Sequence, residues 1–365
     1  MQESFDIKTS EGSYPVVITH GIIQEISSRH HDAVYLIDSN LMKYTPLSAS
    51  RCVWVDATEE NKSLDRLSDV IVQFRGLGAN RGTHIVAIGG GIVQDIATFC
   101  ASIYMRGLGW TYVPSTMLSM ADSCVGGKSS VNVAGYKNLV GNIDPPSEVL
   151  IDVELLATLP AEHVIGGLFE AVKICYAHSA TAVLAFLDLS PSPTMAVLQL
   201  ERVIHHALLC KKWFIETDEF DQSERLLLNF GHTFGHALEA GTNFKIPHGI
   251  AIGVGMLVAV RFSSQQKTLT DAGALRVKQL SDYVRSTILV NRDAIPCLSE
   301  LVHLHLVMEK FENDKKHTSS HYRIVVPDEG GTLELASVTK NADSRKDLLG
   351  AFSAALADLS CFSVI

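Results

Sequence analysis

The chain has 365 residues, of which 47% are hydrophobic and 19% charged, and its formal net charge is −10. This length predicts two domains, and the acidic balance disfavours nucleic acid or an anionic membrane as a partner held by bulk attraction. No apolar run reaches the roughly 18 residues of a membrane span, and the first residues lack the pattern of a signal peptide. Seven scattered cysteines, without a C-x-x-C pair, indicate reduced thiols. We therefore expect a cytoplasmic protein.

The first half of the chain alternates short β-rich runs with helical stretches. Residues 34–37, 84–88 and 110–113 are β-rich, and each run ends at a turn made of glycine, acidic or hydroxyl residues. A β run, a turn and then a helix is typical of a parallel sheet flanked by helices. Residues 1–160 are therefore predicted to form an α/β nucleotide-binding domain with a mostly parallel sheet.

The second half has long helical patterns and few strand candidates. The helical stretches are residues 162–178, 194–214, 226–240 and 249–266. Residues 161–365 are therefore predicted to form an all-α domain, and the polar residues described below make it the metal-binding one.

A triple-glycine turn, Gly89–Gly91, follows the second β run, and Asp95 ends the first turn of the helix after it. Such glycines let backbone N–H groups approach a pyrophosphate at the positive end of a helix, which predicts a dinucleotide at the carboxyl ends of the strands. The G-x-G-x-x-G spacing is absent, so a tight structural turn is the alternative. Asp38, after the first β run, is a candidate acceptor for a ribose hydroxyl or, equally, a turn residue or helix cap.

A second glycine-containing segment carries two lysines and two amides, Lys128, Asn132, Lys137 and Asn138. N–H groups and ammonium charges in such a loop can surround a phosphate. The P-loop pattern G-x-x-x-x-G-K-[ST] is not met, because Asp122 occupies its first glycine position. The segment therefore predicts a phosphate site and disfavours hydrolysis of a nucleoside triphosphate.

Glu170 and Lys173 are three residues apart within a predicted helix, so they share one face. Such a pair is usually a surface salt bridge worth under about 1 kcal/mol. The neighbouring residues are apolar, which favours a half-buried pair here.

The stretch R-L-L-L-N-F-G-H-T-F-G-H carries four polar residues at offsets of zero, four, seven and eleven: Arg225, Asn229, His232 and His236. If the stretch is one helix, they lie along a single stripe. Gly231 and Gly235 each weaken a helix by about 1 kcal/mol, which suggests a close approach of backbone or ligand. The stripe therefore predicts one wall of a polar site, with a solvated surface face as the alternative.

The histidines suggest a metal site. Neutral imidazoles with one carboxylate make a zinc site with an open position for substrate. The H-E-x-x-H protease signature is absent, because Thr233 stands at the Glu position. Spacing alone does not decide which three of Glu170, His232, His236 and His248 would bind the metal.

These segments together resemble 3-dehydroquinate synthases and their relatives, the sugar phosphate cyclases. The resemblance extends from about Asp38 to Lys316 and includes the departures Ser130, where glycine is usual, and Ile250, where a glutamate is usual. The departures suit a divergent or secondary-metabolism member. The matching positions are Glu59 and Lys62, Gly89 to Gly91 and Asp95, Tyr104 to Gly107, Pro114 to Thr116, Asp122 to Asn132, Lys137 and Asn138, Glu170 and Lys173, Lys211, Asp218 and Glu219, Arg225 to His236, and His248 and Gly249.

The resemblance implies a dehydroquinate synthase-like fold, NAD and Zn²⁺ (or Co²⁺) as cofactors, a homodimer, and roles for individual residues. It implies that the metal ligands are Glu170, His232 and His248. It implies catalytic roles for Lys128, Lys173, His236, Arg225, Asn229 and Asp122. It implies substrate contacts by Arg106 (from the neighbouring subunit), Lys137, Asn138, Lys211 and one lysine of Lys315 and Lys316. It implies NAD contacts by Asp38, Glu59, Lys62, Gly90, Gly91, Asp95, Ser115, Thr116, Leu118 and Thr158.

The implied reaction moves a hydride to NAD, eliminates phosphate, returns the hydride and closes a carbocycle by an intramolecular aldol step. Family members that take 3-deoxy-arabino-heptulosonate 7-phosphate hold its carboxylate with residues spaced as Lys211, Arg225 and Asn229 are here, and a bidentate arginine suits a carboxylate. This favours 3-dehydroquinate formation. The alternatives are a cyclase of amino-heptulosonate, sedoheptulose or glucose phosphates, a metal-dependent polyol dehydrogenase, and a catalytically silent binding protein.

Overall fold

The computed structural model describes residues 3–360. Two compact units are distinguished. The first comprises the described residues up to Leu159 together with Ala196–Leu208, and the second comprises Pro160–Met195 together with the described residues from Leu209. One long helix, α6 (Val197–Thr217), contributes residues to both units.

The first unit is built on a seven-stranded sheet with the order β1-β2-β9-β6-β5-β3-β4. The first two strands pair antiparallel and all other neighbours pair parallel, which confirms the predicted mostly parallel sheet. A small hairpin, β7–β8, stands apart from this sheet. The strands are β1 (Glu3–Thr9), β2 (Gly12–Thr19), β3 (Val34–Asp38), β4 (Cys52–Val55), β5 (Ile85–Gly89), β6 (Trp110–Pro114), β7 (Val131–Val133), β8 (Tyr136–Val140) and β9 (Glu148–Asp152).

The central strands are buried along their whole length, as their continuous apolar sequences require. Helices α1 (Ile22–Arg29), α2 (Leu64–Gly76) and α3 (Gly91–Ile103) pack on the sheet. The chain passes from β3 to β4 on one side and then to β5 on the other side of β3. The carboxyl ends of β3 and β5 therefore flank a topological switch point, where open α/β sheets bind ligands.

The second unit is mostly helical, as predicted, but it also contains a hairpin of β10 (His321–Pro327) and β11 (Leu333–Thr339) that the prediction lacked. The apolar run Ile324–Val326 and the Gly330–Gly331 turn are the sequence signals of this hairpin. Its helices, besides part of α6, are α4 (Ala161–His178), α5 (Ala180–Asp188), α7 (His232–Gly241), α8 (His248–Gln266), α9 (Asp271–Val290), α10 (Leu298–Leu301), α11 (Leu304–Glu312) and α12 (Ala342–Ser360).

Helix α8 is the centre of the second unit, because α4, α7 and α12 all pack against it. Its apolar residues from Ile250 to Val260 are buried on every side, as expected of a helix without a polar face. Within residues 3–360, no helix has both the length and the apolar character of a membrane-spanning segment.

Two stacked histidines in the first unit should make its stability depend on pH. The rings of His30 and His84 are 5.3 Å apart and nearly parallel. Burial lowers the pKa of His30 despite its contact with Glu148, and burial followed by the charge of His30 lowers the pKa of His84. The folded protein therefore binds fewer protons here than the unfolded chain, so stability is complete above pH about 6.5 and is lost as the pH falls below it.

We expect His84→Gln to reduce this acid sensitivity. Glutamine does not titrate, and its amide can donate to Thr111 Oγ1, which lies 2.8 Å from His84 Nε2. Melting temperatures measured between pH 7 and pH 5 should fall less steeply for the variant than for the wild type. Parallel curves would show that His84 does not contribute to the pH dependence.

Candidate functional site

Three side chains from three helices of the second unit converge on one point. Glu170 lies on α4, and His232 and His248 are the first residues of α7 and α8. Glu170 Oε1 is 3.7 Å from His232 Nε2 and 3.3 Å from His248 Nε2. One ligand atom from each residue lies within 4.8 Å of the other two, a spacing that suits a single metal ion.

The chain reaches this arrangement through a break in the helix. The continuous helix considered for residues 225–236 is wrong. Residues Glu224–Asn229 form a 3₁₀ turn, Gly231 adopts the left-handed conformation with φ 76°, and α7 begins only at His232. Glycine is the residue that adopts this conformation without steric cost, so Gly231 separates Arg225 and Asn229 from the stripe formed by the two histidines.

Glycines also let the helices that carry Glu170, His232 and His248 approach each other closely. A Cβ atom on Gly249 would lie 2.3 Å from Gly166 Cα, so α8 crosses α4 with backbone against backbone next to Glu170 and His248. Cβ atoms on Gly231 and Gly235 would lie 2.8 Å and 2.9 Å from the carbonyl oxygens of Ile252 and Ala251. Close backbone approach, one of the two reasons expected for these glycines, is therefore confirmed.

The hydrogen bonds of the two histidines involve Nδ1 and leave Nε2 available for a metal. His232 Nδ1 lies 3.3 Å from the Phe230 carbonyl oxygen, and His248 Nδ1 lies 3.1 Å from Glu239 Oε2. When the imidazoles are neutral, both acceptors hold the proton on Nδ1, and both Nε2 atoms face Glu170. Glu170 Oε1 is buried and has no hydrogen-bond donor among the described residues. An orphaned carboxylate oxygen facing two imidazole Nε2 atoms fits a divalent metal ion.

Lys173 compensates the buried charge of Glu170. Its Nζ donates to Glu170 Oε2 at 2.5 Å, and both side chains are almost completely buried. The pair is therefore buried more deeply than the half-buried pair expected from the sequence. Burial opposes ionisation of Glu170, but the charge of Lys173 and the contact with His248 together outweigh it and hold the pKa of the carboxyl below its usual value. The glutamate is thus kept in the charged form that binds metal.

Two further cationic or titratable side chains lie beside this cluster. The ring of His236 is 5.3 Å from that of His232, and burial followed by the charge of Lys316 lowers the pKa of His236 to about 3. Lys316 Nζ is buried without a hydrogen-bond partner among residues 3–360, whereas Lys315 is exposed. Of the two lysines considered from the sequence, Lys316 is therefore the one directed towards the histidines.

Sequence reasoning did not identify Glu239. It follows His236 by three residues, so both lie on the same face of α7. The spacing H-x-x-E was a usable signal, but only the fold shows that Glu239 contacts His248, which belongs to the next helix.

Of the residues expected to bind a substrate carboxylate, Lys211 and Arg225 are buried and Asn229 is half-buried. Lys211 and Arg225 are 6% and 4% exposed. The Arg225 guanidinium donates to the Glu219 carbonyl oxygen at 2.6 Å, and the Asn229 amide donates to the Leu226 carbonyl oxygen at 3.0 Å. These contacts hold Arg225 and Asn229 in defined orientations.

In the first unit, the triple-glycine turn joins β5 to α3. A Cβ atom on Gly89 would clash with Val93, and one on Gly90 would lie 2.9 Å from Thr116 Cγ2, so both glycines are required by packing. A Cβ atom on Gly91 would meet nothing closer than Ser123 Oγ at 3.9 Å. The turn is therefore a tight structural turn and also a helix N-terminus with space beside Gly91.

A polar network connects the candidate cofactor and phosphate residues of this unit. Lys62 Nζ donates to Asp95 Oδ2 and to Asn138 Oδ1, both at 3.0 Å. Asp95 Oδ1 accepts from the Ser130 N–H at 2.9 Å, and Asn132 donates to Glu59 Oε1 at 2.8 Å. Burial raises the pKa of Asp95 to about 6 against the opposing charge of Lys62. Ser130 has no positive φ, so serine replaces the usual glycine without backbone strain.

The other candidate residues of this unit have varied environments. Asp38 caps the short turn after β3 by accepting from the Asn40 N–H at 2.9 Å, the helix-cap role left open by the sequence. Arg106 is exposed and has a positive φ of 74°. Ser115 is buried, and Lys128 and Lys137 are exposed, while the remaining candidates are half-buried: Thr116, Leu118, Asp122 and Thr158.

Comparison with known proteins places these sites in a family. Family models described as the N-terminal and C-terminal parts of 3-dehydroquinate synthase match residues 52–166 and 167–317. The 3-dehydroquinate synthase of Natranaerobius thermophilus is 30% identical over 368 residues, which cover 94% of this chain and 98% of that protein.

Solved structures of the same fold include two cyclases. A 2-deoxy-scyllo-inosose synthase complexed with carbaglucose-6-phosphate, NAD⁺ and Co²⁺ has a TM-score of 0.81 and 23% identity over 96% of this chain and 99% of its own. The 2-epi-5-epi-valiolone synthase of Streptomyces hygroscopicus, with NAD⁺ and Zn²⁺ bound, has a TM-score of 0.77 and 22% identity over 95% and 98%. With both parts of the family matched and a relative aligned over almost its full length, the chain belongs to the 3-dehydroquinate synthase family of sugar phosphate cyclases.

Proposed function

We propose that this chain is an NAD- and metal-dependent 3-dehydroquinate synthase, which converts 3-deoxy-arabino-heptulosonate 7-phosphate into 3-dehydroquinate and phosphate. The observation that carries the proposal is the convergence of the His232 and His248 Nε2 atoms on the orphaned Oε1 of Glu170. We further propose that it acts as a cytoplasmic homodimer, in which Arg106 reaches the neighbouring subunit's substrate.

Glu170, His232 and His248 would hold the metal, and the first unit would hold NAD. The open N-terminus of α3 at Gly91, beside the switch point between β3 and β5, supports a dinucleotide there. The NAD⁺ with Co²⁺ or Zn²⁺ in the two cyclase structures supports the same cofactors here. Glu170, His232 and His248 would hold a metal that would supply polarisation of the substrate hydroxyl oxygens, and NAD would supply a reversible hydride acceptor.

We assign the remaining NAD contacts to the residues around this N-terminus. They are Asp38, Glu59, Lys62, Gly90, Asp95, Ser115, Thr116, Leu118 and Thr158. The bonds of Lys62 to Asp95 and Asn138 support this assignment, because they fix the carboxylate and the amide relative to α3.

Cationic residues, together with an amide and a neutral imidazole, would orient the phosphate and stabilise its charge as it leaves. We assign this role to Arg106, Lys128, Lys137, Asn138, His236 and Lys316, with Asp122 beside them. A buried ammonium without a partner, such as that of Lys316, suits an anion that arrives with the substrate. Lys173 keeps Glu170 ionised, so that a proton does not compete with the metal for the carboxylate.

Lys211, Arg225 and Asn229 would hold the substrate carboxylate and so determine which phosphate ester is used. The Glu219 carbonyl orients the planar Arg225 guanidinium, and a guanidinium can bind both oxygens of a carboxylate. A neutral sugar phosphate has no group for these residues. A substrate without a carboxylate cannot form these charge-assisted hydrogen bonds, which produces discrimination against neutral sugars.

The test is phosphate release from a panel of substrates in the presence of NAD and Zn²⁺. We expect turnover with heptulosonate 7-phosphate, slower turnover with its amino analogue, and none with sedoheptulose 7-phosphate or glucose 6-phosphate. Arg225→Ala should raise KM for the carboxylate substrates about 100-fold or more. Activity confined to the neutral sugars would overturn the assignment, and accumulation of NADH with glycerol would indicate a polyol dehydrogenase.

A further inference from the structure

Helix α7 carries a polar stripe that continues beyond the two histidines. His232, His236 and Glu239 follow one another at intervals of four and three residues, so they lie on one face of the helix. His236, Glu239 and His248 also place one ligand atom each within 4.8 Å of one another. Glu239 therefore lies beside the proposed metal site, although it is neither a proposed metal ligand nor a proposed substrate contact.

The two histidine ligands are held by different kinds of acceptor. His232 is held through Nδ1 by the main-chain carbonyl of Phe230, which is fixed by the left-handed turn at Gly231. His248 is held through Nδ1 by the side chain of Glu239 at 3.1 Å. The orientation of His248 therefore depends on one replaceable side chain, whereas that of His232 does not.

We propose that Glu239 is a positioning residue that orients His248 and fixes its proton on Nδ1, so that Nε2 is presented to the metal beside Glu170. This inference rests on the proposed metal-dependent function. Without the carboxylate, the imidazole ring can rotate about its Cβ–Cγ bond and place its proton on either nitrogen, and only some of those states bind metal. Removing such an acceptor typically weakens metal binding about 10- to 100-fold.

Glu239→Ala and Glu239→Gln separate positioning from other roles. Glutamine keeps an oxygen that can accept from His248 Nδ1 but loses the negative charge. We expect the zinc Kd, measured by competition with a chromophoric chelator, to rise about 10- to 100-fold in Glu239→Ala and to stay within about fivefold of wild type in Glu239→Gln. Glu309→Ala, at an exposed carboxylate on α11, should leave the Kd unchanged.

A second readout reports the geometry of the site directly. With Co²⁺ in place of Zn²⁺, the ligand-field absorption of Glu239→Gln should match that of the wild type, and that of Glu239→Ala should be shifted or weakened. Melting curves of the metal-free proteins show that each variant is folded, so that zinc affinities are compared only between folded proteins.

The outcomes distinguish failure of this inference from failure of the proposed function. Wild-type zinc affinity in Glu239→Ala would overturn the positioning role. Equal losses in Glu239→Ala and Glu239→Gln would also overturn it, because they would show that Glu239 acts through its charge or as a ligand itself. A wild-type protein that binds no metal would instead refute the metal-dependent function on which the inference rests.

Discussion

Replacing His232 with alanine is expected to remove zinc from the purified protein. Two of the three proposed ligands, Glu170 and His248, would remain, and loss of one neutral imidazole from a three-ligand site should weaken metal binding by about 10³-fold or more. Zinc content measured by mass spectrometry after dialysis should fall from about one ion per chain to almost none. Phosphate release should fall with it.

His236→Ala is the matched control, since it lies one turn further along the same helix. Its role is proposed to be contact with the substrate phosphate, so this variant should keep its zinc while kcat/KM falls about 100-fold. Unchanged zinc in His232→Ala, together with loss of zinc in His236→Ala, would transfer the ligand role to the second cluster of His236, Glu239 and His248.

The first half of the fold could be predicted well because its signals are local. The runs ending at Asp38, Gly89 and Pro114 are continuous apolar segments closed by turn residues, and they form the buried strands β3, β5 and β6. The order of those strands in the sheet could not be predicted from the sequence pattern. It depends on how the chain crosses over between neighbouring strands.

The stretch around Gly231 shows where periodicity fails. Residues 225–236 satisfy a helical stripe at every polar position, yet the structure breaks the helix at a left-handed glycine. The reason is tertiary, because Gly231 and Gly235 lie against the backbone of α8, and no count of offsets reports that packing. The glycines were expected to indicate close approach, but the left-handed conformation of Gly231 was not predicted.

The candidate metal ligands could not be identified from spacing alone, for a similar reason. Spacing left Glu170, His232, His236 and His248 as four candidates, and the family resemblance selected three of them. The structure adds what neither source contained, namely that the Nδ1 atoms of the two selected histidines are occupied by Phe230 and Glu239. The contact of Glu239 with His248 joins two different helices, so only the packed unit brings these two residues together.

Lys316→Met should make the protein more stable and much less active. The Lys316 ammonium is buried without a hydrogen-bond partner within residues 3–360, and burial lowers its pKa. Methionine occupies a similar volume without a charge that must be desolvated, so the free energy of unfolding of the ligand-free protein should rise by about 1–2 kcal/mol. If the ammonium is kept for the substrate phosphate, kcat/KM should fall about 100-fold or more.

Lys315→Met is the matched control, because it removes an exposed charge from the adjacent residue. It should change the unfolding free energy by less than about 0.5 kcal/mol and leave phosphate release nearly unchanged. Urea denaturation and steady-state kinetics on the two variants measure both quantities. A stabilised and fully active Lys316→Met would show that the buried ammonium does not serve the reaction. A destabilised Lys316→Met would show that Lys316 is paired within the fold and does not await an anion. A substrate-binding lysine is therefore identified by a rise in unfolding free energy together with a fall in kcat/KM.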